Sequence, residues 1–296
     1  MHKTIPLPQG YRRDDILAFH SRDTEGLAER VEPQRIRKGV LIEGVPVLLD
    51  VRFQDDAADC TIDADGALSE PALHLINDAL QNILALRIDP APFLAAVRTD
   101  PLLGEVAARQ SALRIVQSAT IFEALTWAII GQQINLTFAI ALRRTFIEQA
   151  GRAHSSGLWC YPEARDVSRL APEQLTTRKF SRSKAETLLR LAQLVDSGQL
   201  ALEREGNVAD VSAALLAVKG IGPWTVNYTL LRGYGYPDCS LHGDVAIRAA
   251  LQHLLGEPEK PDMARTEMLL ANYAPNRTMA AAHLWASLNP RGDSQT

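Results

Sequence analysis

One stretch of the sequence decides the fold, and it reads Leu215-Leu216-Ala217-Val218-Lys219-Gly220-Ile221-Gly222-Pro223-Trp224-Thr225-Val226-Asn227-Tyr228. An apolar helical pattern runs into Gly220-Ile221-Gly222, where two glycines tolerate positive φ and an apolar side chain fills the space between two helices. Pro223 stands near the first position of a second helix, a place that proline favours. The pattern predicts a helix-hairpin-helix over about residues 213–232.

A turn of this kind has a specific physical use. It aims backbone N–H groups and a helix N-terminus at a phosphate, which lets a protein bind DNA without reading its sequence. We therefore expect DNA contacts from five residues of the turn, which are Lys219, Gly220, Ile221, Gly222 and Thr225. A plain αα-hairpin would also contain Gly-x-Gly, so the stretch alone leaves both interpretations open.

An acidic residue follows the hairpin closely. The segment Ser240-Leu241-His242-Gly243-Asp244-Val245-Ala246-Ile247-Arg248 places Asp244 at the start of another helix, 20 residues after Trp224. Taken alone, Asp244 is explained most simply as an N-cap, because aspartate accepts the first unpaired N–H groups of a helix well. Asp238 is the rival carboxylate, and its place after Tyr236-Pro237 favours a turn or a cap.

The N-terminal third of the chain has a different texture. It alternates short β-type runs with turns, and two helical patterns flank those runs. The β-type runs cover residues 39–44, 45–53 and 59–63, and the helical patterns cover residues 14–28 and 71–86. We expect a small α+β domain with an antiparallel sheet over residues 1–90.

Beyond residue 90, apolar residues recur at i, i+3 and i+4, and prolines and glycines mark helix starts and ends. Such patterns cover residues 121–130, 135–149, 181–197, 211–218 and 245–255. We expect an all-α domain over residues 91–296, so that the protein is mainly α with an α+β N-terminal domain.

The composition is that of a globular protein with material for more than one core. Of the 296 residues, 46% are hydrophobic, and no apolar run reaches the length of a membrane span. The three cysteines, Cys60, Cys160 and Cys239, are odd in number and far apart, which excludes a disulfide framework and a CxxC site. We expect a cytoplasmic protein without membrane contact.

The formal net charge of −4 argues against a nucleic-acid partner only if that charge is spread evenly. Residues 1–90 carry 10 Lys and Arg against 16 Asp and Glu, whereas the remaining residues carry 21 against 19. Two basic clusters lie in the second part, namely Arg143-Arg144 and the group Arg178, Lys179, Arg182, Lys184 and Arg190. They allow a basic face, and a solvated helix face is the alternative.

The hairpin, Asp244 and the spacing between them resemble the helix-hairpin-helix DNA glycosylase superfamily, and within it the 3-methyladenine DNA glycosylase II family. The likeness extends to other segments, which are Phe122-Glu123-Ala124-Leu125-Thr126-Trp127-Ala128-Ile129-Ile130-Gly131-Gln132-Gln133-Ile134, Tyr161-Pro162, Arg182-Ser183-Lys184-Ala185, Tyr273-Ala274-Pro275-Asn276-Arg277 and His283-Leu284-Trp285. The N-terminal run Asp14-Asp15-Ile16-Leu17-Ala18-Phe19 is similar to the family's extra α+β domain. The resemblance implies a helix-hairpin-helix DNA glycosylase fold plus a small antiparallel-sheet domain.

The reaction that this resemblance implies is hydrolysis of the N-glycosidic bond between a damaged base and deoxyribose, which starts base-excision repair. The nucleotide must first leave the stacked duplex. By position, Gln132, Gln133 and Ile134 would contact the DNA, with Gln133 or Ile134 as the wedge that fills the gap. Loss of the base leaves positive charge on the sugar, so a carboxylate close to C1′ is useful. The resemblance assigns this catalytic role to Asp244.

Alkylated purines such as 3-methyladenine and 7-methylguanine carry positive charge, so a pocket can select them by stacking electron-rich rings against them. Trp224, Tyr228 and Trp285 are the pocket residues that the resemblance implies. Core packing is the alternative, because Trp224 and Tyr228 are i, i+4 neighbours on one helix face. Val245 stands where the family has a further pocket aromatic, which puts the base preference of this pocket in question.

The residue types that are missing also define the class of enzyme. Family members that cut the strand carry a lysine just after the hairpin, where this chain has Trp224, so the resemblance implies a monofunctional glycosylase. An iron–sulfur cluster needs closely spaced cysteines beyond Cys239, and we expect no metal and no organic cofactor. The family's hairpin often holds a monovalent cation through backbone carbonyls, which here belong to residues 218–221.

Two alternatives to this function stay open. A bifunctional glycosylase/lyase would use Lys219 as its nucleophile, and a non-catalytic DNA-binding helix-hairpin-helix protein would keep the hairpin for phosphate contact only. The expected partner is double-stranded DNA, which for a glycosylase contains damaged bases. We expect the protein to act on it as a monomer.

Overall fold

The computed structural model of the protein describes residues 1–288. Its strands are β1 (His2–Pro6), β2 (Glu29–Glu32), β3 (Arg35–Ile42), β4 (Val45–Phe53), β5 (Ala57–Ala64), β6 (Arg152–Ala153) and β7 (Trp159–Tyr161). Its helices are α1 (Arg13–His20), α2 (Glu70–Ile83), α3 (Ala91–Ala96), α4 (Gly104–Arg109), α5 (Ile121–Gly131), α6 (Leu136–Ala150), α7 (Ala164–Val167), α8 (Pro172–Thr176), α9 (Arg182–Asp196), α10 (Val208–Leu216), α11 (Pro223–Thr229), α12 (Val245–Leu255), α13 (Met263–Ala271) and α14 (Arg277–Ser287). A π-helical turn over Leu230–Tyr234 directly follows α11. Within residues 1–288, every helix is too short or too polar to cross a membrane.

The strands of the described chain form one sheet in the order β1-β5-β4-β3-β7-β6, and β2 also pairs with β3. β3, β4 and β5 form an antiparallel meander in which Val40 lies opposite Val47 and Val51 lies opposite Cys60. These strands match the three predicted β-type runs, except that Glu43 and Gly44 form the turn between β3 and β4. Their apolar residues pack against α2. The prediction of an α+β N-terminal part with an antiparallel sheet is confirmed.

Two short strands of this sheet come from the second half of the chain. β7 pairs in parallel with β3, with Gly39 opposite Cys160, and β6 pairs with β7. Gly39 permits this pairing, because a Cβ there would lie 2.2 Å from the carbonyl oxygen of Trp159. The expectation of an all-α segment over residues 91–296 is therefore wrong at β6 and β7, which are too short to show a β periodicity. The last residues of that segment, 289–296, lie outside the described residues.

The predicted helices over residues 121–130, 135–149, 181–197 and 245–255 are confirmed as α5, α6, α9 and α12. Each begins after a side chain that accepts N–H groups of its first turn, and these N-caps are Thr120, Asn135, Ser181 and Asp244. Such caps stabilise a helix start by pairing donors that have no partner inside the helix.

The helix predicted over residues 14–28 is wrong beyond His20, where α1 ends. Asp23 forms a turn there, because its side chain accepts the N–H of Glu25 (3.2 Å) and its carbonyl accepts the N–H of Gly26 (3.1 Å). The turn redirects the chain into β2 and leaves Phe19 at the end of α1.

The molecule contains two hydrophobic cores, one between the sheet and α2 and one among the later helices. Each core also contains side chains from the other part of the chain. Val116 and Ala119 pack into the sheet core, and Ala28 packs into the helical core. The two parts therefore interlock.

A buried ion network joins the two parts. Lys38 of β3 pairs with Glu29 of β2 and with Glu123 of α5 (2.8 Å), and Arg143 of α6 pairs with Glu29 (2.7 Å) and Glu123 (2.8 Å). His20 adds a contact from Nδ1 to Glu29 (3.1 Å). Burial alone would raise the pKa of Glu123, but the charges of Lys38 and Arg143 hold it below its usual value.

This network removes one of the two predicted basic clusters from the surface. Arg143 is buried in the network, and the neighbouring Arg144 pairs with Asp23 (2.7 Å) and Glu25 (2.9 Å). Arg143 and Arg144 therefore form structural ion pairs and do not contribute to a basic face.

We predict that Glu123→Gln lowers the free energy of unfolding by about 3–5 kcal/mol, because Lys38 and Arg143 lose a shared buried partner. Glu105→Gln is the matched control, since its pair with Arg109 is exposed (3.6 Å) and should contribute about 0–1 kcal/mol. Denaturant unfolding of both variants measures the difference. Equal small losses would contradict a stabilising role for the network.

Candidate active site and nucleic-acid interface

The hairpin turn connects α10 to α11 and depends on one glycine. Gly220 has a φ of +99°, and a Cβ there would lie 2.1 Å from Oγ1 of Thr187 on α9. Ile221 is buried and packs into the helical core, as the sequence predicts. Gly222 is extended, with a φ of −111°. Of the two glycines that tolerate positive φ, only Gly220 adopts it in this turn.

The surface of the turn presents unpaired backbone donors. Within the described chain, the N–H groups of Gly220 and Gly222 donate to no other residue. A Cβ at Gly222 would meet no atom within 4 Å, so this side of the turn is open. Lys219 is exposed beside it. Open N–H groups in a concave turn can bind an anion such as a phosphate.

The monovalent cation site that the resemblance implies stays a prediction, because a backbone carbonyl oxygen that accepts one hydrogen bond keeps a second lone pair. The carbonyl oxygens of Val218 and Gly220 accept hydrogen bonds from the Ile221 N–H (3.0 Å) and from Gln132 Nε2 (3.1 Å). The carbonyl of Lys219 accepts one from the Arg190 guanidinium (3.2 Å), which places a positive charge at the turn.

Gln132 and Thr225 hold the end of α5 against the hairpin. The amide nitrogen of Gln132 donates to Oγ1 of Thr225 (2.9 Å) in addition to the Gly220 carbonyl, and Thr225 is buried. The expectation that Thr225 contacts DNA is therefore wrong for its side chain. The amide nitrogen of Gln132 is likewise engaged within the protein.

Gln133 is the residue that projects from the turn between α5 and α6. It is exposed and has a φ of +56°, a conformation that is uncommon outside glycine and that concentrates at functional sites. Ile134 is half-buried and packs against the helical core. Leu136, at the start of α6, is 51% exposed, and no pattern in the sequence predicted that its side chain lies at the surface.

Asp244 accepts four hydrogen bonds. Its Oδ1 accepts the backbone N–H groups of Ala246 and Ile247 (both 3.0 Å) and the indole N–H of Trp285 (3.1 Å). Its Oδ2 accepts the indole N–H of Trp224 (2.9 Å). The N-cap prediction is confirmed, and Oδ2 keeps a lone pair for a further contact. The four bonds fix a half-buried carboxylate in one orientation.

The three predicted pocket aromatics lie together beside this carboxylate. The rings of Trp224 and Tyr228 stack with centroids 5.1 Å apart, and those of Tyr228 and Trp285 are tilted at 6.5 Å. All three side chains are half-buried and pack against the helical core. They contribute to the core and still present surface to a ligand. We call these three residues the aromatic cluster.

Three further residues border the aromatic cluster without having been predicted. Trp127 donates its indole N–H to the hydroxyl of Tyr228 (3.2 Å). The Arg232 guanidinium lies 4.9 Å from the ring centroid of Phe19, 5.9 Å from that of Tyr228 and 5.7 Å from that of Trp285. Arg232 stands one helical turn after Tyr228, a spacing that could have indicated it. Phe19 comes from α1, far away in sequence, and no local signal pointed to it.

Asp238 is placed as a structural residue. Its two carboxylate oxygens accept hydrogen bonds from Nε and a terminal nitrogen of Arg277 (both 2.7 Å). The bond from Arg277 lowers the pKa of Asp238 below its usual value. This pairing leaves Asp244 as the carboxylate next to the aromatic cluster.

The second predicted basic cluster lies next to the hairpin. Arg190 donates to the Lys219 carbonyl (3.2 Å), and Lys184 donates to the carbonyl of Ile130 at the end of α5 (2.7 Å). Arg178, Lys179 and Arg182 are exposed at the N-terminal end of α9 and just before it. These five residues form a basic edge along α9 and the segment before it, which reaches the turn at Arg190 and in which Arg182 also pairs with Glu186 (2.9 Å).

The sequence is similar to those of DNA repair proteins of one superfamily. The family model of HhH-GPD superfamily base excision DNA repair proteins matches residues 126–275. A Bacillus subtilis (strain 168) protein named DNA-3-methyladenine glycosylase is 32% identical over 205 residues, which cover 68% of this chain and 68% of the relative. Escherichia coli (strain K12) DNA-3-methyladenine glycosylase 2 is 26% identical over 185 residues, 62% of this chain and 63% of that protein.

The fold is similar to that of a solved structure named 3-methyladenine DNA-glycosylase from Archaeoglobus fulgidus. The TM-score is 0.81 at 19% sequence identity, and the match covers 96% of this chain and 97% of that one. At this identity the likeness concerns the fold, and it includes both the sheet and the helical part.

We predict that Gly220→Ala lowers the free energy of unfolding by about 2 kcal/mol or more, because alanine strains the left-handed backbone and collides with Thr187. Gly222→Ala is the matched control two residues away, where φ is negative and the space is open, and it should change stability by less than about 1 kcal/mol. Thermal or denaturant unfolding distinguishes them. A larger loss for Gly222→Ala would refute this description of the turn.

Proposed function

The chain belongs to the HhH-GPD superfamily of base excision DNA repair proteins and is a DNA glycosylase of the 3-methyladenine type, and we propose that it is a monofunctional one in which Asp244 is the catalytic residue. The observation that carries this proposal is the carboxylate of Asp244, oriented by the indoles of Trp224 and Trp285 beside the aromatic cluster. Because one chain supplies the hairpin, the carboxylate and the aromatic rings, a monomer suffices.

The hairpin and the basic edge would hold the DNA backbone. The free N–H groups of Gly220 and Gly222 suit a phosphate oxygen, and the basic edge adds positive charge beside them. These contacts involve no base edge, so they would bind damaged and intact DNA alike. Recognition of damage must then occur after a nucleotide has left the duplex.

We infer that Gln133 is the wedge, the side chain that fills the gap which the flipped nucleotide leaves in the duplex. Its exposed side chain and its left-handed backbone project it from the turn after α5, whereas Ile134 is tied to the helical core. Gln132 fixes this turn to the hairpin, so the wedge and the phosphate contact would move as one unit.

Departure of the base leaves oxocarbenium-like charge on the sugar. In this proposal, Oδ2 of Asp244 faces that charge, stabilises it and orients the attacking water. An alkylated purine is already cationic and leaves readily, and stacking on the rings of the aromatic cluster would be worth roughly 0.5–2 kcal/mol. Trp224 occupies the position at which a Schiff-base lysine would be needed.

We predict that Asp244→Asn lowers the rate of 3-methyladenine release from methylated duplex DNA by about 100-fold or more, because the negative charge next to the sugar is lost. Asp238→Asn is the control carboxylate, and its rate should stay within about threefold of wild type while the variant is folded. Chromatography of the released bases measures both variants. Wild-type activity in Asp244→Asn would overturn the role of Asp244.

The monofunctional assignment predicts that borohydride traps no covalent complex between the protein and damaged DNA, since Trp224 stands where the resemblance would place a Schiff-base lysine. Lys219→Ala should weaken DNA binding through the loss of one phosphate contact, by about tenfold or less, and leave the single-turnover rate of base release unchanged. A trapped adduct that disappears in Lys219→Ala would instead establish the glycosylase/lyase alternative.

A further inference from the structure

A buried amide in the cavity lined by Phe19 and Trp127 has no hydrogen-bond partner among the described residues. Gln117 has no exposed surface, and in residues 1–288 neither its Oε1 nor its Nε2 is hydrogen-bonded. Buried polar groups are nearly always paired, because leaving one unpaired is costly. Asn82, a second fully buried amide, shows the usual state, since it donates to the carbonyls of Ser118 (2.9 Å) and Ala119 (3.2 Å) and accepts from Arg87 (2.9 Å).

Gln117 lines a cavity of about 60 Å³ that it shares with Phe19 and Trp127. Both of these residues connect the cavity to the aromatic cluster, since Trp127 donates to the Tyr228 hydroxyl and Phe19 lies against the Arg232 guanidinium. The volume admits a few atoms, such as the edge and exocyclic group of a base. Gln117 therefore lies in a cavity whose lining residues Trp127 and Phe19 also contact Tyr228 and Arg232 at the aromatic cluster.

The backbone on both sides of Gln117 is bonded to Arg232. A guanidinium nitrogen of Arg232 donates to the Val116 carbonyl (2.5 Å), and the N–H of Ser118 donates to the Arg232 carbonyl (2.8 Å). Arg232 itself lies over the rings of Tyr228 and Trp285. The backbone that carries the Gln117 side chain is thus held at a fixed position relative to those rings.

A second unpaired polar atom lines the same cavity. Asp23 is 9% exposed, and its Oδ1 pairs with Arg144, while its Oδ2 has no partner in the described chain. Other charged residues of the lining have their own contacts. Lys38 and Arg143 each pair with Glu29 and Glu123, and the Arg22 guanidinium lies 4.1 Å from the ring centroid of Phe19. Gln117 and Asp23 together therefore offer a ligand the two N–H donors of the Gln117 amide and two acceptor oxygens.

We propose that Gln117 and Asp23 bind the amino-bearing edge of a flipped adenine-type base and favour its excision. This inference rests on the proposed function. An exocyclic amino group supplies two N–H donors and the neighbouring ring nitrogen supplies an acceptor, which can pair with the two oxygens and with one N–H of the cavity. 7-Methylguanine presents a carbonyl oxygen in place of the amino group, and that oxygen would face the unpaired oxygen of Asp23, an unfavourable contact.

The experiment compares single-turnover release of 3-methyladenine and 7-methylguanine from duplex DNA, corrected for spontaneous loss of the base. Gln117→Met keeps the volume and removes both polar atoms, so release of 3-methyladenine should fall about tenfold while release of 7-methylguanine stays within about twofold. Asp23→Asn supplies a donor in place of an acceptor, and it should shift the ratio of the two rates toward 7-methylguanine. A defect in folding would lower both rates together.

Asn82→Leu is the matched control, because it removes a buried amide that is fully paired. It should lower the melting temperature and reduce both rates alike, whereas Gln117→Met should keep or raise the melting temperature. The inference fails if Gln117→Met lowers the melting temperature as Asn82→Leu does, or if it leaves the ratio of the two rates unchanged. Wild-type protein that releases neither base would refute the proposed function itself.

Discussion

The carboxylate of Asp244 and its four N–H donors form the constraint on which the rest of the site depends. The donors come from three helices, since Trp224 begins α11, the backbone donors begin α12, and Trp285 lies near the end of α14. A shift of any of these helices would break at least one bond. Because Trp224 stands two residues after Gly222, the turn that would hold a phosphate and the indole that orients the carboxylate are parts of one short segment. Under the proposed function, binding of the DNA backbone and placement of Asp244 would thereby be linked by covalent geometry.

The N-terminal part of the chain, which includes the sheet and α1, is fixed to the helices and also borders the candidate site. The buried network of Glu29, Lys38, Glu123 and Arg143 fixes the sheet to α5 and α6. Phe19 extends from α1 to the Arg232 guanidinium. An acidic domain on a DNA-binding protein is tolerable because a backbone N–H turn and a local basic edge need little net positive charge. Glu29, one of the acidic residues of the sheet, pairs with Arg143 of α6 and so helps to fix the sheet to the helices.

The sequence predicts best those features that depend on residues close together in the chain. The hairpin, the cap at Asp244 and the long helices depend on neighbours within one or two turns, and the family resemblance adds the association of Asp244 with Trp224 and Trp285. Features that depend on distant contacts were missed. β7 pairs with a strand more than a hundred residues away, Arg143 is turned inward by partners from another element, and Phe19, Asp23 and Gln117 meet only in the folded chain. The burial of Thr225 follows from a bond to Gln132 that no spacing along the chain encodes.

The most direct test of the central claim is a double-mutant cycle on the single-turnover rate of 3-methyladenine release. Trp285→Phe keeps an aromatic ring but removes the N–H that holds Oδ1 of Asp244, so it should slow wild type by about tenfold. In the Asp244→Asn background the same change should have little further effect, because both substitutions act through one carboxylate. If the double variant instead slowed release by the product of the two single-variant factors, Trp285 and Asp244 would act independently. That result would contradict an indole-oriented carboxylate as the basis of catalysis.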